Sequence, residues 1–432
     1  MGNPRDVVIV DGTRTPFTKA GTSLGEVHPA DLGQVALKEL LNRTELDVDL
    51  IDEVIIGNTG SPSDAVNISR VVALRSGIPL KTSAYTVHRN CASALESISS
   101  GYEKIKSGTM DVVIAGGTES MTQMPLLHTQ RFQQIFSEFA FAKTMGKRLS
   151  ALKKLKLKDL KPRISVMEGL TDPFVGVNMG QTAETLAKEF HLTREAQDEF
   201  AALSHNKAVA AQKNGNLAAE ITPVFLPPNF KKIVEQDVGP RDGQTAEKLA
   251  KLKPYFDRKY GSITVGNACP LTDGAAMVLL MSREKAESLG YKPMATIRSY
   301  AFAGLEPERM GLGPAYATPI ALKRAGLEFK DMGLIELNEA FAAQVMACEI
   351  AMASDEFCKT KLGLSGAMGE IDPSILNVNG GAIALGHPVG ATGTRLVLTL
   401  MKEMQRRETQ FGLATLCIGG GQGGAMILER EA

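Results

Sequence analysis

In this 432-residue chain, four side chains stand where they could do chemistry: Cys91 in VHRNCASALES, Asn338 in ELNEAFAAQ, His387 in GGAIALGHPVGATG and Cys417 in TLCIGGGQGGAMI. Cys91 lies where a strand-like run hands over to a helical pattern. The free N–H groups and dipole of a helix start favour an anion, so a thiolate with a depressed pKa is expected there. His387 precedes Pro388, a residue suited to a first helical turn, and the glycines on both sides let a ligand approach the backbone. Asn338 and Glu339 follow a strand-like run, the usual location of functional groups in open α/β sheets. Taken singly, the first cysteine and the histidine each have a plainer reading: a small core residue and a helix cap. Taken together they offer a nucleophile, a base, a polar anchor and a second thiol.

The glycines after Cys417 admit a competing reading. Gly419, Gly421 and Gly424 satisfy the G-x-G-x-x-G spacing of a dinucleotide loop. That loop must open a helix, and only eight residues remain after Gly424, all strand-like. A tight turn between two strands fits better.

Those residues need elements to carry them. Apolar runs such as DVVIVDG, DEVIIGN, DVVIAGG, MGLIELN and FGLATLCIGG alternate with stretches of helical period, the pattern of an α/β protein with buried strands. Ala36 to Asn58 and Ala321 to Asn338 both run from a helix through an acidic turn into a strand ending at Asn. Downstream, Leu95, Ile98, Tyr102 and Ile105 share one helical face, as do Val397, Leu400, Met401 and Met404. The chain therefore reads as a duplicated α/β domain. If the halves pack about a pseudo-twofold, Cys91 and His387 sit at equivalent helix starts and Asn338 and Cys417 on neighbouring strand ends. The expected division is 1–120 for the first half, 121–267 for an inserted loop domain, 268–292 for the return of the first half and 293–432 for the second. Thr193 is a candidate N-cap and Gly215 a candidate stop for a long helix in the insertion.

Composition narrows the function classes. Lys and Arg balance Asp and Glu at 48 each, so nothing global points to nucleic acid. The cysteines, Cys91, Cys269, Cys348, Cys358 and Cys417, are odd in number and lack any C-x-x-C pair, which argues against disulfides and a metal site. No charged and apolar leader opens the sequence and no run nears the roughly 18 apolar residues of a membrane span, so a cytoplasmic location is expected.

NCASALESI, GGTESM, MGQTAE, GNACPLTDGAA, NEAFAAQ, NVNGGAIALGHPVGATG and CIGGGQGGA, in this order, resemble the thiolases, which split 3-ketoacyl-CoA with CoA. The resemblance runs from the first strand to the last. It implies the five-layer αβαβα thiolase fold with an inserted loop domain, no permanently bound cofactor, and CoA and 3-ketoacyl-CoA as substrates, in fatty-acid β-oxidation. By that resemblance Cys91 is the nucleophile, His387 its base, and Cys417 the thiol that protonates the departing acetyl-CoA carbanion. Asn338 would hold a water in one oxyanion hole, and the N–H groups of Cys91 and Gly419 would form the other. Met179, Ala268 and Cys269 would line the acyl and CoA pocket, Cys269 replacing a common Ser. A homodimer or larger assembly is implied by SPSDAVNISRVVALRSGIP, which resembles the family's dimer contact. A short-chain acetyl-CoA acetyltransferase is the neighbouring alternative within the family. A non-catalytic lipid-transfer member is the alternative from another class, and retention of all four reactive residues speaks against it.

Residues 141–163 hold nine Lys or Arg against one Asp, interleaved with Leu149, Leu152, Leu155, Leu157 and Leu160. This resembles the extended loop of thiolase subunits from fatty-acid trifunctional complexes. It implies docking to an enoyl-CoA hydratase/3-hydroxyacyl-CoA dehydrogenase α subunit or peripheral contact with an anionic inner-membrane surface. A solvated basic face and a site for CoA phosphates are the competing uses. Those subunits usually carry His where this chain has Asn338.

Overall fold

A computed structural model describes residues 3–431. Its ten-stranded sheet orders as Leu334–Leu337, Phe411–Ile418, Gln422–Arg430, Ala295–Gly304, Val7–Arg14, Thr272–Ser282, Val112–Ser120, Glu53–Gly57 and Ser83–Val87, with Thr18–Lys19 paired off that path. The order repeats about its middle. In the first half Glu53–Gly57 lies parallel between Ser83–Val87 and Val112–Ser120, followed by antiparallel Thr272–Ser282 and Val7–Arg14. In the second, Leu334–Leu337 lies parallel between a bridge at Leu376 and Phe411–Ile418, followed by antiparallel Gln422–Arg430 and Ala295–Gly304. The two halves join edge to edge, antiparallel, where Val8 and Ile9 meet Thr296 and Ala295.

The strands are apolar without alternation because both faces are covered, and Val112–Ser120 is buried at every position. Successive residues feed different cores, as the two-residue side-chain period requires. Val8, Val54 and Ile56 face the helices Pro29–Thr44 and Ile68–Arg75. Val7, Ile9 and Ile55 face a central layer of Leu95, Ile98, Ile105, Val397, Leu400, Met401 and Met404. On the far side Leu413, Ala425 and Ile427 pack under the helices Gly313–Ala325 and Ala342–Ala353. The layers therefore run helix, sheet, helix, sheet, helix: the expected αβαβα arrangement. The paired central helices Ser93–Lys106 and Thr392–Arg407 approach closely at Gly393, where an added Cβ would lie 2.3 Å from the Leu95 nitrogen.

Within 121–267 the elements go separate ways. Met179–Glu189 and Arg194–Lys213 lie against Ala342–Ala353, and the longer helix starts at Thr193, whose hydroxyl accepts from Ala196 N–H at 3.2 Å. It ends at Lys213, just before Gly215 turns the chain at φ 76°. Farther on, buried Asp237 takes both terminal guanidinium nitrogens of Arg14 at 2.7 and 2.8 Å while Glu220 takes Nε at 2.6 Å, locking this span to the first strand. Removing one partner of such a buried set costs about 3–5 kcal/mol. Helices Gln130–Phe141 and Met145–Leu152 instead pack on each other as an arm closed by the pairing of Leu126–Leu127 with Arg163–Ile164. The arm leaves Phe141 and Leu157 85% and 89% exposed, among exposed Lys and Arg.

Two local expectations are corrected. The helix after His387 begins at Thr392, not at Pro388, because Gly386 (φ 106°) turns the chain and His387 is drawn into a bridge with Leu271. Matching the helix starts Ser93 and Thr392 then sets Gly390 opposite Cys91 and His88 opposite His387, so the cysteine and the histidine are not twofold mates.

Candidate active site

Cys91 stands immediately before Ala92, the cap of the helix Ser93–Lys106. Two backbone N–H groups, its own and that of Gly419, favour a charge on its sulfur. Burial nevertheless pushes the thiol pKa above its ordinary value, outweighing both donors. The depressed pKa expected from the helix start is thus overturned: desolvation of a thiolate exceeds what two N–H dipoles return.

Cys417 lies near the end of Phe411–Ile418, paired across to Gly423, and is 1% exposed. Its pKa is raised well above the ordinary thiol value, by burial first and then by the neighbouring charges of Cys91, Cys348 and Cys269. Cys417 is thereby kept protonated, and it shares one neighbourhood with Cys91. The glycines that follow form the turn between the last two strands, with Gly420 at φ 89° and Gly421 at φ 74°, a left-handed region that suits a residue without Cβ.

Asn338 follows Leu334–Leu337 and donates its backbone N–H to the Thr415 carbonyl at 2.9 Å, which places it beside the Cys417 strand. Its side-chain Oδ1 and Nδ2 are both buried without a partner among the described residues. In a native site a buried amide in that state is poised for a water or a ligand.

His387 is held by groups from both halves. Its N–H donates to Thr272 Oγ1 at 3.1 Å, and it bridges Leu271, two residues beyond Cys269. Nδ1 lies 2.6 Å from Thr392 Oγ1, while Nε2 is buried without a partner among the described residues. Burial, followed by the Arg395 charge, pushes the imidazole down to about 3. The resting pair is therefore a neutral thiol and a neutral imidazole.

Met179, Ala268 and Cys269 gather with Phe341, Phe256 and Cys417 in one apolar cluster. A methyl added at Gly419 would sit 3.2 Å from Met179 Sδ, so Met179 borders the glycine turn. Ala268 bridges Phe341, and Cys269 is pushed up to about 12 by burial and then by Cys91. Among the described residues no cluster of His, Cys, Asp and Glu could hold a metal ion.

The sequence reading missed the supports. Thr392 and Thr272 anchor the histidine. Glu119, buried, accepts from Thr59 and Gly60 N–H at 3.0 Å and from Gly390 N–H at 2.9 Å, tying the turn after His387 to the first half. Glu339, taken with Asn338 as a functional group, is instead occupied by Ser204 Oγ at 2.6 Å, Asn377 Nδ2 at 2.9 Å and Ile383 N–H at 3.2 Å. The acid in GGTESM is the one sign of the first clamp; the acid in ELNEAFAAQ marks the second, but nothing local shows that its partners are Ser204, Asn377 and Ile383.

Comparison with known proteins agrees with this architecture. A family model described as the thiolase N-terminal domain matches residues 7–284, and one described as the thiolase C-terminal domain matches residues 291–430. The chain is 43% identical over 426 residues to a 3-ketoacyl-CoA thiolase of Shewanella halifaxensis, covering 98% of this chain and 97% of that one. It is 42% identical, with the same coverage, to one of Aeromonas salmonicida. Human mitochondrial 3-ketoacyl-CoA thiolase superposes with a TM-score of 0.85 at 36% identity over 100% of both chains. Bacillus anthracis acetyl-CoA acetyltransferase superposes equally well, at 0.85 and 36% identity, over 98% of both chains.

Proposed function

Because this chain belongs to the thiolase family, we infer that it is an acyltransferase that splits 3-ketoacyl-CoA with CoA, giving acetyl-CoA and a shortened acyl-CoA in fatty-acid β-oxidation. One observation supports this most: Cys91 from one half acts on Cys417 from the other, Asn338 lies beside the Cys417 strand, and His387 Nε2 and the Asn338 amide are buried without a partner among the described residues.

The reaction divides into two transfers. His387 Nε2 takes the Cys91 proton, and the thiolate attacks the 3-keto carbon. The C2–C3 bond breaks, the acetyl-CoA enolate leaves with the proton of Cys417, and the acyl group stays on Cys91 as a thioester. A second CoA then gives its thiol proton to Cys417 and attacks the thioester, and Cys91 recovers its proton from His387. Because both resting groups are neutral, the thiolate forms at the moment of attack, when the N–H groups of Cys91 and Gly419 can stabilise developing negative charge. Asn338, with a water, serves the enolate oxygen. Thr392 Oγ1 also donates to the Pro388 carbonyl at 3.0 Å. With its proton there, Oγ1 accepts from Nδ1–H in both the neutral and the protonated imidazole, leaving Nε2 free to act as base.

CoA is the substrate, with Met179, Ala268 and Cys269 along its path. Residues 1–120 and 268–292 act as one half and 293–432 as the other, with 121–267 covering the substrate. Dimerisation is supported by the edge strand Ser83–Val87, paired on one side, and by exposed Val66 and Leu80. The exposed apolar and basic residues of the arm support docking through 141–163 to a hydratase/dehydrogenase α subunit or to an anionic membrane from the cytoplasmic side. CoA-dependent loss of the acetoacetyl-CoA enolate absorbance, compared with cleavage of a long 3-ketoacyl-CoA, tests the reading. Cleavage of neither would refute it, and cleavage of acetoacetyl-CoA alone would favour a short-chain acetyltransferase, the activity named for the Bacillus anthracis neighbour.

A further inference from the structure

Asn90, next to Cys91, has a left-handed backbone at φ 46°. Asn is among the few residues with a Cβ that enter this region at modest cost. The turn is closed by Ser93, whose Oγ accepts from Arg89 N–H at 2.9 Å and donates to the Asn90 carbonyl at 2.7 Å. Nothing in that local motif needs an amide side chain at position 90. The amide goes elsewhere: Nδ2 donates to the Gly419 carbonyl at 2.7 Å, across 329 residues and from one half of the molecule to the other. Arg89 reinforces the junction, its guanidinium 4.2 Å over the Phe302 ring and its Nη1 donating to Gln422 Oε1 at 3.2 Å. The turn before Cys91 is thus stapled to both ends of the glycine run.

This placement has a chemical consequence. The N–H of Gly419 belongs to the residue whose carbonyl Asn90 holds, and the N–H of Cys91 follows directly after Asn90. The bond from Asn90 Nδ2 to the Gly419 carbonyl brings the Gly419 peptide beside Cys91, and both N–H groups favour a charge on the Cys91 sulfur. Glycine peptides are the least constrained backbone available, and Gly420 and Gly421 continue the turn with left-handed φ. The Ile418–Gln422 pairing and the Leu305 N–H to the Gly421 carbonyl hold the two ends of the turn, and Asn90 is the side chain that holds the Gly419 peptide itself.

We propose that Asn90 is a positioning residue that sets the separation and aim of the Cys91 and Gly419 N–H groups, the paired donors for the thioester oxygen. The proposal rests on the nucleophilic role inferred for Cys91. Displacing a hole donor by about 1 Å can cost on the order of 10²-fold, and removing one costs about 10²–10³-fold. Loss of the Asn90 amide, which leaves both N–H groups present, should cost about tenfold to a hundredfold.

The test uses Asn90→Gly, which keeps the left-handed backbone and deletes the donor, and Asn90→Asp, which keeps shape and turns the donor into an acceptor facing a carbonyl. With acetoacetyl-CoA and CoA, both should lose kcat by about tenfold or more, with KM changed by less than about threefold. Raman spectra of the acetylated Asn90→Gly enzyme should show the thioester carbonyl band at higher wavenumber than in the parent, since a less polarised C=O is stiffer. A merely structural role would lower the melting temperature and leave that band in place. Parental kcat in Asn90→Gly, or an unmoved carbonyl band, overturns the proposal. Continued activity of Cys91→Ala would instead overturn the nucleophile assignment beneath it, so the two failures are distinguishable.

Discussion

Thr392 Oγ1 lies 2.6 Å from His387 Nδ1 and 3.0 Å from the Pro388 carbonyl, so one buried hydroxyl ties the imidazole to the turn that carries it. The geometry makes Thr392 the partner that leaves Nε2 as the free nitrogen. Thr392→Val keeps the side-chain shape and leaves Nδ1–H unpaired, at a cost of about 1–3 kcal/mol. The neutral ring can escape that cost by moving its proton to Nε2, where it cannot act as a base. The expected outcome is a fall in kcat of about tenfold or more, slower alkylation of Cys91 by iodoacetamide, and partial recovery in Thr392→Ser. Unchanged alkylation in Thr392→Val would remove the assignment.

The two thiols have separable duties. Cys91→Ala should abolish the acyl-enzyme, detectable as a missing acyl mass on the Cys91 peptide. Cys417→Ala should still accept acetyl from acetyl-CoA, more slowly because Cys417 also exchanges the CoA thiol proton, while losing carbon–carbon cleavage far more, by about 10²-fold or more, because a carbanion needs that proton more than a thiolate does. Equal losses in both partial reactions of Cys417→Ala would argue against its role as the proton donor.

Two groups away from the thiols, His205 buried and Glu349 half-buried, set opposing pH slopes on stability. His205 is 5% exposed with Nδ1 unpartnered, and burial, helped by Arg241, lowers it to about 4. Its unfolded value is about 6.5, so between those limits the unfolded chain binds more protons and stability falls as the pH drops, by on the order of 3 kcal/mol. Burial raises Glu349 to about 7, so the folded chain binds more protons between about 4.5 and 7, and stability falls there as the pH rises. His205→Gln should flatten the acid limb of a melting-temperature profile, and Glu349→Gln should raise the neutral limb. Profiles parallel to the parent in both variants would contradict these signs.

The arm offers a binding test. The wild-type protein should float with vesicles containing an anionic lipid, or co-purify with a hydratase/dehydrogenase α subunit. Replacing Lys153, Lys154, Lys156 and Lys158 with Gln should abolish either association while acetoacetyl-CoA cleavage stays within about twofold, because the arm packs chiefly on itself. Absence of both associations in the wild type would leave the segment a solvated face.

The residue types in this chain carry most of the architecture and the reactive groups. Unbroken apolar strands, two like helix-to-strand units and a glycine run with no following helix lead to a duplicated α/β fold and a last turn without a nucleotide site, because these follow from local periodicity and chain length. Burial and long-range pairing are not local. They put Gly390 rather than His387 opposite Cys91, started the second central helix at Thr392, and made Glu339 a clamp. They also reversed the expected direction for Cys91: a helix start is written in the sequence, whereas the desolvation that outweighs it depends on how the folded chain packs around the sulfur.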